Sequence, residues 1–88
     1  MRVELMTRPG CHLCEEAREE LDAHIAALGA AGGEIDVVEV DIEADDELHR
    51  RYLERIPVIL VDGEPVSELG FDPAAFDDRL QRRAEHSR

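Results

Sequence analysis

Aromatic residues are almost missing from this chain: two Phe, one Tyr and no Trp among 88 residues. A core built on large rings is therefore excluded, and Ala, Val, Leu and Ile have to fill it. Lysine is absent too, so all ten basic residues are Arg, set against 22 acidic ones for a net charge of −12. A surface of that sign repels polyanions, which argues against nucleic acid as a partner, and it reads instead as a solubilising face. No apolar run approaches the ~18 residues of a membrane-spanning helix. No targeting pattern precedes the first strand signal, so no membrane role and a cytoplasmic location are expected. Cysteine is scarce as well, with only Cys11 and Cys14. In a reducing compartment so close a pair points to catalysis, redox sensing or metal binding rather than a structural staple.

What is present is periodic. The length suits one domain over residues 1–88. Val3 and Leu5 alternate with Glu4 and Met6, a strand signal that Arg8-Pro9-Gly10 breaks. From Cys11 to Leu28 the apolar positions Leu13, Ala17, Leu21, Ile25 and Leu28 recur every three or four residues, predicting a helix with one buried stripe. Gly29 can end it, and Ala30–Gly33 reads as a loop. Ile35–Val40 is β-branched and short, hence a second strand. Asp45 reads as the N-cap of a second helix with Leu48, Tyr52 and Leu53 inward, ending before Pro57. Pro57–Val61 is a buried strand, and Asp62-Gly63 predicts a hairpin into Glu64–Leu69. Asp72 caps a last helix that starts at Pro73, carries Phe76 and Leu80 inward and gathers Arg79, Arg82, Arg83 and Arg88 in its second half. The order is α/β, βαβαββα. Helical crossovers predict parallel pairing for the first three strands, with the fourth antiparallel.

Two cysteines three apart at a helix start lie about one turn from each other, within disulfide reach. Cys11 sits at the N-terminal edge, where unpaired backbone N–H groups and the positive end of the helix dipole stabilise a thiolate, with Arg8 and His12 beside it. Cys14 lies one turn further in and should behave as an ordinary thiol. That asymmetry fits a nucleophile and a resolving thiol acting on substrate disulfides. The same spacing also forms half of many zinc sites. No second C-x-x-C or H-x₃₋₅-H accompanies it, and His24, His49 and His86 stand singly, read as surface residues. A metal or cluster shared between two chains stays open, as does a redox-inactive interaction domain.

Strand, turn, C-x-x-C at a helix start and, about 45 residues on, Ile56-Pro57-Val58 together resemble the thioredoxin superfamily. The segment Thr7–Ala17, TRPGCHLCEEA, is similar to a bacterial glutaredoxin-like branch. The resemblance spans essentially the whole chain. It implies a thioredoxin fold, a four-stranded mixed sheet flanked by three helices, with Cys11 and Cys14 as the catalytic pair. It also implies a cis Pro57 facing the dithiol, which leaves backbone groups of Ile56 to pair with an extended substrate. Arg8, His12, Ile56, Pro57 and Gly70 are the substrate-contacting residues on this view. Tyr52 is assigned to the core. The expected partners are disulfide-containing proteins or glutathione mixed disulfides, met by a monomer with no tightly bound cofactor. Where the family carries an aromatic near the dithiol and a Gly-Gly turn, this chain has His12-Leu13 and Leu69-Gly70, so glutathione stays open as a co-substrate. Arg8, Arg50, Arg51 and Arg55 are the cations that could meet its carboxylates.

Overall fold

Alternation in the first strand decides the layering of the whole molecule. The computed structural model describes residues 1–86, so Arg88 and the side chain of His86 lie outside what is described below. Strand β1, Arg2–Thr7, sends Val3 and Leu5 to one face and Met6 to the other. Helix α1, His12–Ala27, and helix α3, Pro73–His86, cover the Val3/Leu5 face. There Ala17, Leu21 and Phe76 pack with Ile59 and Val61 of β3, Val58–Val61. Helix α2, Asp46–Tyr52, covers the opposite face, where Tyr52 packs with Met6, Val58 and Leu60. Phe76 is the largest fully buried side chain, so the few rings present are spent on the core.

The strand order is β2-β1-β3-β4, with β2 at Asp36–Asp41 and β4 at Glu64–Glu68. β2 runs parallel to β1, with Thr7 beside Asp41, and β4 runs antiparallel to β3 through the Asp62-Gly63 turn. β3, however, is antiparallel to β1, pairing Met6 with Val58 and Val3 with Val61, so the expectation of three parallel strands fails. The reason is length. Seven residues of α2 rise about 10 Å, half of the ~20 Å needed to return along a six-residue strand. The chain therefore re-enters the sheet at the edge where β2 left it. As a result the ends of β1 and β2 and the entries and exits of β3 and β4 at Val58 and Glu68 share one edge.

Local signals mostly hold. Asp45 caps α2, its carboxylate accepting from the N–H groups of Glu47 and Leu48, and Asp72 accepts from Ala75 at the start of α3. Four side-chain placements and one loop differ from expectation, among them His49, which is half-buried rather than a surface residue. Leu13 is 55% exposed, and Cys14, Ala17 and Leu21 form the buried stripe of α1 instead. Leu53 is also exposed, because it follows the last turn of α2. His24 is half-buried rather than a surface residue: it meets Phe71 and Phe76 edge-on and lies 2.6 Å from Asp77. The Gly29–Glu34 segment is a 3₁₀ helix, not a loop. It folds back so closely that a Cβ on Gly32 would meet the Ile25 carbonyl, which the missing side chain permits.

Candidate active site

The sequence around Cys11 builds its position step by step. Pro9 and Gly10 are the central residues of a turn closed by the Cys11 N–H donating to the Arg8 carbonyl at 3.3 Å. Gly10 has φ +78°, the left-handed value a type II turn requires at that place, and the Pro at the preceding position suits the same turn. The turn lifts the chain off β1 and delivers Cys11 as the N-cap of α1, in extended backbone conformation. An N-cap side chain accepts from the N–H groups of the first turn. Here the acceptor is sulfur: the Cys14 N–H donates to Cys11 Sγ at 3.2 Å.

The two cysteines form a disulfide, with α-carbons 5.2 Å apart. Their surroundings differ sharply. Cys11 is partly exposed, whereas Cys14 is only 2% exposed, packed among Met6, Ile42, Tyr52, Ile56 and Val58. Tyr52 is therefore core, as read from the sequence. Among the described residues no group of three or more His, Cys, Asp or Glu could hold a metal ion.

The other residues singled out from sequence fall along the same edge of the sheet. The Ile56–Pro57 bond is cis, and both residues are buried next to Val58, with Ile56 in the cluster that holds Cys14. The Ile56 N–H is not left for a substrate, because it donates to the Tyr52 carbonyl at 3.0 Å as the chain leaves α2. Only the Ile56 carbonyl receives no hydrogen bond among the described residues. His12 projects into solvent, 91% exposed, with Nδ1 3.6 Å from Glu15. Arg8 is exposed and has no ion-pair partner among the described residues. Gly70 follows Leu69, just beyond β4. Leu69 is exposed and left-handed at φ 60°, a conformation the family's glycine would adopt without strain.

Of the cations counted for glutathione, two are already engaged. Arg51 pairs with Glu47 at 3.3 Å. Arg55 donates from Nε to Glu68 at 3.0 Å, pairs with it again through a second nitrogen, and lies over the Tyr52 ring. That hydrogen bond raises the Arg55 pKa and holds the Glu68 carboxyl below its ordinary value. Arg8 and Arg50 remain, Arg50 on the rim of a 380 Å³ cavity at the end of α2.

A second cavity, of 330 Å³, opens directly beside Cys11. The 7–10 turn forms one wall, and Glu15, Glu39 and Asp41 form the other. Glu39 and Asp41 escaped the reading of the sequence, since nothing there reveals that β2 pairs in register with β1. The only available signal is the acidic end of the second strand.

Fold and dithiol together define a thioredoxin-fold protein with a cysteine pair at a helix start. More particularly, the chain belongs to the glutaredoxin-like domain family (DUF836), whose model matches residues 2–83. A structural-genomics target protein from X. campestris has 31% identity and a TM-score of 0.66, over 91% of this chain and 96% of that one. Thioredoxin 1 from Thermosipho africanus, 15% identical, has a TM-score of 0.61 over 99% of this chain and 98% of its own, which speaks to fold alone. Uncharacterised proteins of Mycobacterium bovis and Mycobacterium tuberculosis are 36% identical over 62 residues, 70% of this chain. The match spans 64% of those mycobacterial relatives' length. No described helix is long and apolar enough to cross a membrane.

Proposed function

We propose that the protein is a thiol–disulfide oxidoreductase in which Cys11 is the nucleophile and Cys14 the resolving thiol. The observation that carries this reading is the contrast within the pair. Cys11 is partly exposed and its sulfur sits where a helix N-terminus donates to it, while Cys14 is buried one turn behind. Such donation favours the thiolate, the form that attacks.

The chemistry balances in two displacements. The Cys11 thiolate attacks one sulfur of a substrate disulfide, forming a mixed disulfide and releasing the other sulfur as a thiolate that takes up a proton. Cys14 then loses its proton and attacks Cys11 Sγ, giving the Cys11–Cys14 disulfide and the second reduced thiol. Two electrons pass from the dithiol to the substrate. A thiol or dithiol reductant, glutathione or a protein partner, returns the pair to the reduced state. The Ile56 carbonyl, left without a partner beside Pro57, suits an extended substrate backbone. Arg8, His12 and Gly70 border the approach. Disulfide-containing proteins or glutathione mixed disulfides are the substrates on this reading, handled by a cytoplasmic monomer without a tightly bound cofactor.

The test is reduction of a generic disulfide, insulin or hydroxyethyl disulfide, with dithiothreitol regenerating the protein. The wild type is expected to accelerate the reaction, Cys11→Ser to abolish the acceleration, and Cys14→Ser to accumulate substrate on Cys11. A wild-type rate no higher than that of dithiothreitol alone overturns the proposal.

A further inference from the structure

The cavity beside Cys11 does more than admit a disulfide. We infer that Glu39 and Asp41 select substrates by charge, favouring disulfides that carry positive charge next to their sulfurs and disfavouring anionic ones. The inference rests on the oxidoreductase reading and names the substrate class for that same site.

Carboxylates on an acidic protein mark nothing by themselves. These line the same 330 Å³ cavity as Cys11, the residue that would react, which ties their charge to the approaching substrate. Three carboxylates line it against one cation, Arg8. Their local contacts leave that charge largely uncancelled. Glu39 meets Arg18 only at 3.8 Å, with both side chains partly exposed, and Glu15 meets the exposed His12 at 3.6 Å. Asp41 accepts a backbone N–H from Glu43 at 2.9 Å, a contact that fixes the carboxylate without neutralising it. Both β2 residues are exposed, and the parallel register that pairs Thr7 with Asp41 is what brings them alongside the Cys11 turn.

Of the three cations at and just after the end of α2, Arg51 and Arg55 are tied to Glu47 and Glu68, and Arg50 lies outside the cavity that Cys11 lines. Beyond the cavity, the net charge of −12 adds a repulsive field for any anion. Oxidised glutathione, with its carboxylates, therefore meets an unfavourable wall, and a diamine disulfide such as cystamine meets a favourable one. For unit charges on the order of 7 Å apart in water, each carboxylate is expected to change an encounter roughly threefold.

The experiment is a single-turnover series with pre-reduced wild-type protein and three disulfides: cystamine, neutral hydroxyethyl disulfide and oxidised glutathione. Each rate is divided by that of free dithiothreitol with the same disulfide. The normalised order should be cystamine, then hydroxyethyl disulfide, then oxidised glutathione, with a cystamine-to-glutathione ratio of roughly ten or more at low salt. That ratio should shrink toward one above about 0.5 M salt as screening sets in. Glu39→Gln with Asp41→Asn should lower the ratio several-fold. Glu19→Gln with Glu20→Gln removes the same charge from exposed positions of α1 outside the cavity and should leave it nearly unchanged. A wild-type ratio near one, or a control pair that lowers it as much as the cavity pair, overturns the inference while the redox reading stands. If none of the three disulfides is reduced, the redox reading fails and the inference fails with it.

Discussion

Once the Cys11–Cys14 disulfide is reduced, the two thiols should differ greatly in reactivity, and the structure gives the size of the difference. Cys11 Sγ accepts the Cys14 N–H at 3.2 Å at the first turn of a 16-residue helix. A hydrogen bond to a charged group is worth about 1.5–3 kcal/mol, and the helix N-terminus adds about 0.3–1 kcal/mol for an anion. At about 1.4 kcal/mol per tenfold, the thiolate of Cys11 is favoured by roughly twentyfold to several-hundredfold over that of a free cysteine. A free thiol is only a few per cent ionised near pH 7, so this takes Cys11 to a substantial fraction. The gain in rate is smaller than the gain in population, because a stabilised thiolate is a weaker nucleophile. Cys14 lacks the helix-end position and is 2% exposed, so access slows it further. Alkylation with iodoacetamide at pH 6.5 should therefore be tenfold or more faster for Cys14→Ser, which reads Cys11, than for Cys11→Ser, which reads Cys14. The advantage should narrow at higher pH as an ordinary thiol ionises. Equal rates at pH 6.5, or a Cys11 profile that overlays free cysteine, would refute the reasoning.

Three further outcomes test the frame around the site. Gly32→Ala places a methyl against the Ile25 carbonyl, a backbone group that cannot swing away, and should cost about 1–3 kcal/mol in urea unfolding; an unchanged midpoint contradicts the close approach. Asp45→Ala removes the cap of α2 and should cost about 1 kcal/mol, with Asp45→Asn retaining most of it. The Glu68 carboxyl, held below its ordinary value of 4.5 by Arg55, binds a proton less readily folded than unfolded. Its contribution is thus complete above the ordinary carboxylate range and lost as pH falls through the lowered value. Glu68→Gln should accordingly destabilise the protein at pH 7 and converge with wild type in strong acid, and a pH-independent difference would rule the pairing out.

Much of this was legible from residues alone, where local chemistry decides. The Asp45 and Asp72 caps, the Asp62-Gly63 hairpin and the placing of Cys11 at a helix start depend on neighbours within a few residues, and the structure has each of them. At the start of α1 the buried stripe begins at Cys14, one position later than the periodicity predicts. Cys14 fills the place given to Leu13, and Leu13 faces solvent. The direction of β3 does not follow from the order of elements, because the seven-residue α2 is too short for a full crossover. His24 joins a ring cluster that only the packing of α1 on α3 creates. Glu39 and Asp41 come beside Cys11 through strand register, a long-range fact that no local pattern carries.

The most direct test of the central claim is a redox titration of Cys11 and Cys14 in glutathione buffers, read by mass and thiol labelling. The account predicts one two-electron transition in which an intramolecular disulfide forms with loss of two hydrogens. Its midpoint should fall within the range spanned by thioredoxin-like dithiols, roughly −270 to −120 mV, and the transition should vanish in Cys11→Ser and in Cys14→Ser. A value near the glutathione poise supports a glutaredoxin-like role, and a more oxidising one an oxidant or sensor. Two thiols that stay reduced across the whole series, with no intramolecular disulfide formed, would contradict the account.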